Sequence, residues 1–207
     1  MKTVAVYNGK GGCGKTNVAI HAAVVAAYRM RTSILDLDAD MQYAWEWSQR
    51  REQSSPVVQK STAAQLPKQL ADFAAAGVEL TILDFPPNLS AANAKSLALV
   101  DLIVVPVQPS AADINGFLKA VNIVKSSGKP FVFVMSRTDK GDPDVADTVA
   151  ILSQFGEVCP THIGDRKAFK RSMSVGLSVI EYQRSSAAAA ESAAVCEWIL
   201  KKLEGTN

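Results

Sequence analysis

The sequence predicts an α/β fold with a mainly parallel, twisted sheet and helices on both faces. Three observations carry this prediction. Strand-like and helix-like stretches alternate along the 207 residues with little interruption, which is the pattern of βαβ units. The strand candidates are continuous apolar runs and not alternating ones, as strands covered on both faces must be. A glycine-rich loop stands between the first strand candidate and the first helical pattern, in the strand-loop-helix order of a phosphate-binding motif.

The elements follow in order. Strands are expected at Thr3–Tyr7, Thr32–Leu37, Leu80–Asp84, Leu102–Val107 and Phe131–Met135, with weaker candidates at Val57–Gln59 and Glu157–Cys159. Val18, Ala19, Ala22, Ala23 and Ala26 recur at helical spacing after the loop. A last helix is read from the Ala187–Ala190 run and the apolar Val195, Trp198, Ile199 and Leu203 that follow it. No internal repeat or long linker interrupts this, so residues 1–207 are expected to form a single domain.

Composition narrows the function classes. With 48% hydrophobic and 20% charged residues, the chain can bury a full core. A net charge of +2 does not announce a nucleic-acid binder, so any basic surface must be local. Cys13, Cys159 and Cys196 are widely spaced, which argues against a zinc site, a disulfide framework or a cluster held by paired cysteines. A reducing cytoplasm is the expected compartment. The N-terminus runs directly into the first strand, so no signal peptide is expected, and no apolar run approaches a membrane span.

Gly9-Lys10-Gly11-Gly12-Cys13-Gly14-Lys15-Thr16 satisfies G-x-x-x-x-G-K-[ST]. In such a P-loop, backbone N–H groups of Gly11, Gly12, Cys13 and Gly14 surround phosphate oxygens, and the following helix N-terminus adds its positive end. Lys15 is expected on the β- and γ-phosphates and Thr16 on Mg²⁺. The fold expected is therefore that of a P-loop NTPase. Acidic residues fall at the carboxyl ends of strands, where ligands sit in such sheets: Asp36 and Asp38 after one, Asp84 after another. Asp84 closes an apolar run as a metal-supporting aspartate does. A strand-end aspartate can equally be a turn-former or helix cap, but three converging on one P-loop favour the site.

The early lysine, in K-G-G-x-G-K-T, resembles the deviant P-loop of the ParA/MinD family of ATPases. The resemblance covers nearly the whole chain, tightly at the P-loop and loosely in the last third. It implies that ATP and Mg²⁺ are the cofactors and that ATP closes a homodimer, with Lys10 reaching the partner's nucleotide. It further implies that Asp38 orients the attacking water while Asp36 supports the metal shell. Two departures bear on this. Ala39-Asp40-Met41-Gln42 stands where the family usually has proline then glutamine, so Asp40 keeps two readings, a metal or switch role and a cap for the helix carrying Trp45 and Trp47. Asn17 replaces a second threonine and can still donate an amide hydrogen bond to the α-phosphate.

Val105–Asp113, with Pro106 and Pro109, resembles the proline loop of small plasmid-partition members, which lies beside the base and the subunit contact. On physics alone two prolines stiffen a strand exit and stop further pairing, and a rigid loop without a contact role is equally compatible. Arg166-x-Ala168-Phe169, Gly176 and Glu181-Tyr182 also resemble that short form, which lacks an N-terminal DNA-reading region. Arg137, at a strand end, is assigned to the base or ribose.

The resemblance then implies a DNA-partition ATPase, nucleoid-associated in a bacterial cytoplasm. Its dimer binds duplex DNA without sequence preference, and a centromere-binding ParB-type partner releases it by stimulating hydrolysis, with a plasmid as cargo. Arg166, Lys167, Lys170 and Arg171 are the expected DNA face, from their i, i+4 spacing, against a plain solvated surface; Lys201 and Lys202 are weaker candidates. The alternative is a MinD-like membrane-surface switch using an amphipathic C-terminal helix. The acids Glu197 and Glu204 beside Lys201 and Lys202 weigh against it.

Overall fold

A computed structural model of the protein describes residues 1–109, 114–139 and 141–206. The strands are β1 (Lys2–Val6), β2 (Thr32–Asp36), β3 (Val57–Lys60), β4 (Leu80–Asp84), β5 (Leu102–Val107), β6 (Phe131–Thr138), β7 (Glu157–Val158) and β8 (Ile163–Gly164). The helices are α1 (Lys15–Ala27), α2 (Tyr43–Gln49), α3 (Leu66–Ala75), α4 (Ala91–Ser96, continued by a 3₁₀ turn at Leu97–Leu99), α5 (Ile114–Ser126), α6 (Asp144–Leu152), α7 (Lys167–Ser174), α8 (Val179–Tyr182) and α9 (Ala187–Glu204).

Strand order is β3-β2-β4-β1-β5-β6-β7, with β8 continuing β7's edge of β6. Every pairing among the described residues is parallel. The connection leaving β1 runs toward β2, while the one leaving β4 runs the other way to β5. A crevice therefore opens at the carboxyl ends of β1 and β4, the usual ligand position in such sheets.

Side chains alternate strictly between two cores. Val4, Val6, Ile34, Ile82, Val104 and Val134 face one side with α1 and α9. Ala5, Leu35, Leu83, Val105, Phe133 and Met135 face the other, with α3, α5 and α6. A one-residue slip of any strand would exchange the two sets; each fully buried large side chain carries roughly 1.5–3 kcal/mol of burial, so register is firmly specified.

One expectation about the strands needs correction. β6 runs to Thr138, three residues further than expected, and β8, which was not anticipated, pairs with that extension through Ser136 and Thr138. β5 covers Leu102–Val107 as expected, with Pro106 inside it opposite Val134. Val104 turns its backbone toward β1, accepting from Tyr7 N–H at 3.0 Å, so Pro106 faces the same way, past the point where β1 has ended. Its missing N–H costs no ladder bond there, and its carbonyl accepts from the Asn8 side-chain amide at 2.6 Å.

The C-terminal third clasps the helix that follows the P-loop. α9 begins with Ser186 accepting from Ala189 N–H at 3.1 Å and buries Val195, Cys196, Ile199, Leu200 and Leu203. Its apolar side is thus spent inside the protein, and among the described residues no helix is long and apolar enough to cross a membrane. His21 of α1 is fully buried; its Nε2 accepts from Val179 N–H at 2.8 Å and its Nδ1 lies 2.7 Å from Asn17 O. Nδ1 must therefore carry the ring proton. Nearby, Arg51 makes a two-pronged ion pair with Glu181 at 2.7 and 2.9 Å, and Trp47 Nε1 donates to Leu177 O at 3.2 Å.

Candidate nucleotide site

The P-loop turns from β1 into α1 through two left-handed glycines, Gly12 (φ 75°) and Gly14 (φ 89°). At both, a side chain would be strained. Gly14 is the N-cap of α1 and no side chain caps that end, so the first-turn N–H groups and the helix dipole face the crevice. The loop is braced from within. Lys10 N–H donates to Asn8 Oδ1 at 3.0 Å, and Lys10 O accepts from Lys15 Nζ at 2.8 Å and from Cys13 Sγ at 3.3 Å. Burial pushes the Cys13 thiol up, against the lowering influence of Lys15. Gly11 stands open to solvent, with nothing within 4 Å of where a Cβ would sit.

Asp36 and Asp84 are register partners on β2 and β4 and face the α1 side of the sheet, in phase with Ile34 and Ile82. Both are buried, yet their surroundings differ. Asp36 Oδ1 accepts from Asp38 N–H at 3.1 Å and Oδ2 from Trp45 N–H at 3.0 Å. Asp84 has both oxygens buried with no hydrogen-bond partner. Burial, with the charges of Asp36 and Asp38 adding to it, pushes its carboxyl up to about 8; the nearby Thr16 hydroxyl and Lys15 charge oppose this, though Thr16 does not complete a hydrogen bond to either oxygen. A buried carboxylate without a donor calls for a cation or a proton. The set Thr16 hydroxyl, Asp84 carboxylate and open helix N-terminus fits a hard divalent ion beside a phosphate.

Asp38 is half-buried and caps the turn after β2, its Oδ1 accepting from Met41 N–H at 3.2 Å. Asp40 is exposed on that turn, beside the exposed Met41. Asp36, also expected in the metal shell, stands level with Asp84 on the neighbouring strand. Its two oxygens are engaged in tying the turn to α2, so its visible work is to position Asp38.

A small pocket of about 70 Å³ adjoins the loop, lined among others by Gly14, Asn17, Ser136, Arg137, Gly164 and Asp165. Asn17 Oδ1 is buried there without a partner. Ser136 Oγ donates to Cys13 O at 2.6 Å, fixing the loop to β6. Arg137 adopts a left-handed backbone (φ 53°) and brings a guanidinium nitrogen to 4.0 Å from where a Gly12 Cβ would sit. It lines the pocket as expected, but also reaches the loop itself. Ser136 and Asp165 escaped sequence reasoning; the register of β6 past Met135 would have found Ser136, and no local signal marks Asp165. Pro109 lies just past β5, half-buried, and Ser110–Asp113 of the proline loop lie outside the described residues.

The basic cluster is not one surface. Arg166 stands before α7 in extended backbone, and its guanidinium is committed to Glu191, with Nε donating at 3.0 Å and Nη2 in an ion pair. It is therefore not part of a helical i, i+4 stripe. Lys167, Lys170 and Arg171 are exposed on α7, opposite the buried Phe169 and Ser172. Lys202 is tied to Glu157 at 2.5 Å.

Residues 4–180 match the family model for the CobQ/CobB/MinD/ParA nucleotide-binding domain. A carboxysome-distribution protein (maintenance of carboxysome distribution protein A) from Gloeobacter kilaueensis is 29% identical over 92% of this chain and 89% of its own length. Among solved structures, MinD in the MinC:MinD complex of Aquifex aeolicus superposes with a TM-score of 0.81 at 13% identity, covering 97% of this chain and 96% of that one. MinD of Pyrococcus horikoshii with Mg-ADP gives 0.76 at 13% identity, over 96% and 95%. A P-loop on β1, an all-parallel sheet and an acidic crevice thus meet a family match over most of the chain: it belongs to the CobQ/CobB/MinD/ParA family of nucleotide-binding domains and is an ATPase of the ParA/MinD kind, with ATP and Mg²⁺ as its cofactors.

Proposed function

We propose that this ATPase positions intracellular cargo on DNA. ATP closes a homodimer across the strand-end face, the dimer holds duplex DNA without sequence preference, and a cargo-bound partner releases it by stimulating hydrolysis. Supporting this reading, α7 lines the small pocket beside the P-loop through Phe169 while turning Lys167, Lys170 and Arg171 to solvent, so one short helix joins the P-loop side to a basic face. The partner is a ParB-type adaptor. The cargo is a plasmid or, as the name of the Gloeobacter relative suggests, a large protein body, and the dimer works at the nucleoid in the cytoplasm.

In the site, Lys15 exchanges Lys10 O for phosphate oxygens, and Thr16 with Asp84 holds the cation. Mg²⁺, when bound, neutralises charge on the phosphates. Asp38, aimed by Asp36, orients the attacking water, and Lys10 serves the nucleotide of the second copy. Asn17, Gly11 to Gly14 and Arg137 hold the rest of the nucleotide. The membrane-surface alternative needs an apolar helix face to expose, and α9 has its own buried against α1.

Fluorescence anisotropy with two duplexes of unrelated sequence, in ADP and in a non-hydrolysable ATP analogue, tests the reading. Both duplexes should bind alike, chiefly with the analogue. Lys170→Ala with Arg171→Ala should weaken binding about tenfold or more and flatten the slope of log K against log salt by up to about four, two charges being lost from each copy of the dimer, with ATP affinity unchanged. Absence of DNA binding together with analogue-dependent sedimentation on anionic liposomes would instead support the membrane switch.

A further inference from the structure

An open groove of about 810 Å³ runs between α4 and α5, away from the P-loop. Ala94 and Ala98 form one wall, Leu118 and Ile123 the other, and Lys95 and Lys119 stand at the rim. On α5 the contributing positions 118, 119, 122, 123 and 126 follow helical i, i+4, i+8 spacing, so one whole face of that helix is turned into the groove. At 13 residues, α5 is about 20 Å long, enough to accompany roughly four turns of a second helix laid alongside.

The charge around the groove has one sign. Lys95 and Lys119 are the charged residues that line it, with no aspartate or glutamate beside them. An aliphatic floor under a lysine rim is the complement of an amphipathic helix with an apolar stripe flanked by acids. Duplex DNA would use the lysines but leave Leu118 and Ile123 with nothing to bury against. Both helices also hang from strand ends at the nucleotide crevice: a short loop joins Asp84 to α4, and α5 follows the proline loop after β5.

We propose that the α4–α5 groove is the docking site for an acidic, amphipathic helical segment of a partner protein. The proposal does not depend on the DNA reading, since the groove is separate from α7. A display library of amphipathic helical peptides with acidic, basic or uncharged flanks, selected on the wild-type ATPase, provides the test. Enriched peptides should be acidic around an aliphatic stripe. Lys95→Glu with Lys119→Glu should weaken them at least tenfold, Ile123→Glu should abolish binding, and replacing the peptide acids with lysine should restore binding to the double variant. Basal ATPase and melting temperature of the double variant should stay at wild-type values, since both lysines are exposed. No enrichment, enrichment of basic peptides, or binding untouched by these changes would overturn the proposal. Displacement of the peptides by a duplex whose affinity falls with the same lysines would also overturn it and assign the groove to nucleic acid.

Discussion

Asp36 and Asp84 sit side by side on neighbouring strands at the same level of the sheet, both shut away from solvent, and the protein treats them in opposite ways. Asp36 has a backbone N–H for each oxygen. Asp84 has none. A buried carboxylate that is fully hydrogen-bonded helps hold its surroundings in shape; one left without donors weakens the fold until something positive arrives. The contrast separates a carboxylate satisfied by the backbone from one left without donors, in a place where sequence alone shows two aspartates at two strand ends.

The largest effect expected tests whether the crevice holds a nucleotide at all. Lys15→Ala removes the cation that serves the phosphates, and charged hydrogen bonds of this kind are worth about 1.5–3 kcal/mol each, so ATP affinity should fall roughly 10²–10³-fold by calorimetry. An unchanged affinity would leave the orphaned Asp84 without the explanation given. Next, Asp36→Ala leaves the N–H groups of Asp38 and Trp45 without acceptors. At about 1–3 kcal/mol per orphaned group it should cost roughly 2–4 kcal/mol in denaturant unfolding, with turnover falling as well because Asp38 loses its anchor. Asp38→Ala should cost little stability yet slow turnover by about 10²-fold or more, with ATP still bound; wild-type turnover would point to Asp40.

The effect of pH has an unusual sign. The Asp84 carboxyl sits at about 8 in the folded protein and near 4 in the unfolded chain, so between those values the folded state keeps a proton that the unfolded state has lost. Stability of the nucleotide-free protein should therefore decline as pH rises from about 4 to about 8 and level off above. Asp84→Asn should flatten that decline and raise the melting temperature at pH 8.5, by about 2–4 °C per kcal/mol relieved, while reducing Mg²⁺-dependent turnover. A lower melting temperature would mean that Asp84 supports the fold and that the contrast with Asp36 is not one of function.

Much of this was legible in the sequence because it is written locally. The P-loop is eight consecutive residues, and the central strands announce themselves as apolar runs whose alternate members feed two cores. What was not legible depends on distant partners. Ser136 reaches the P-loop only because β6 continues beyond its apolar run and β8 pairs with it. Arg166 looks like part of a basic stripe until Glu191, on α9, is brought against it. Why Pro106 is tolerated inside its strand shows only once the end of β1 is known to lie opposite its missing N–H.

The strand order has a consequence for how the chain is made. β1 leaves the ribosome before either of its neighbours in the sheet, β4, where Lys2 meets Leu80, and β5, where Val4 meets Leu102. Until that much more chain has emerged, the strand beneath the P-loop has no ladder to join, and its apolar residues wait exposed. β1 is thus locked in place well after it is made, and a nascent chain stalled before β4 would hold a phosphate loop with no floor under it.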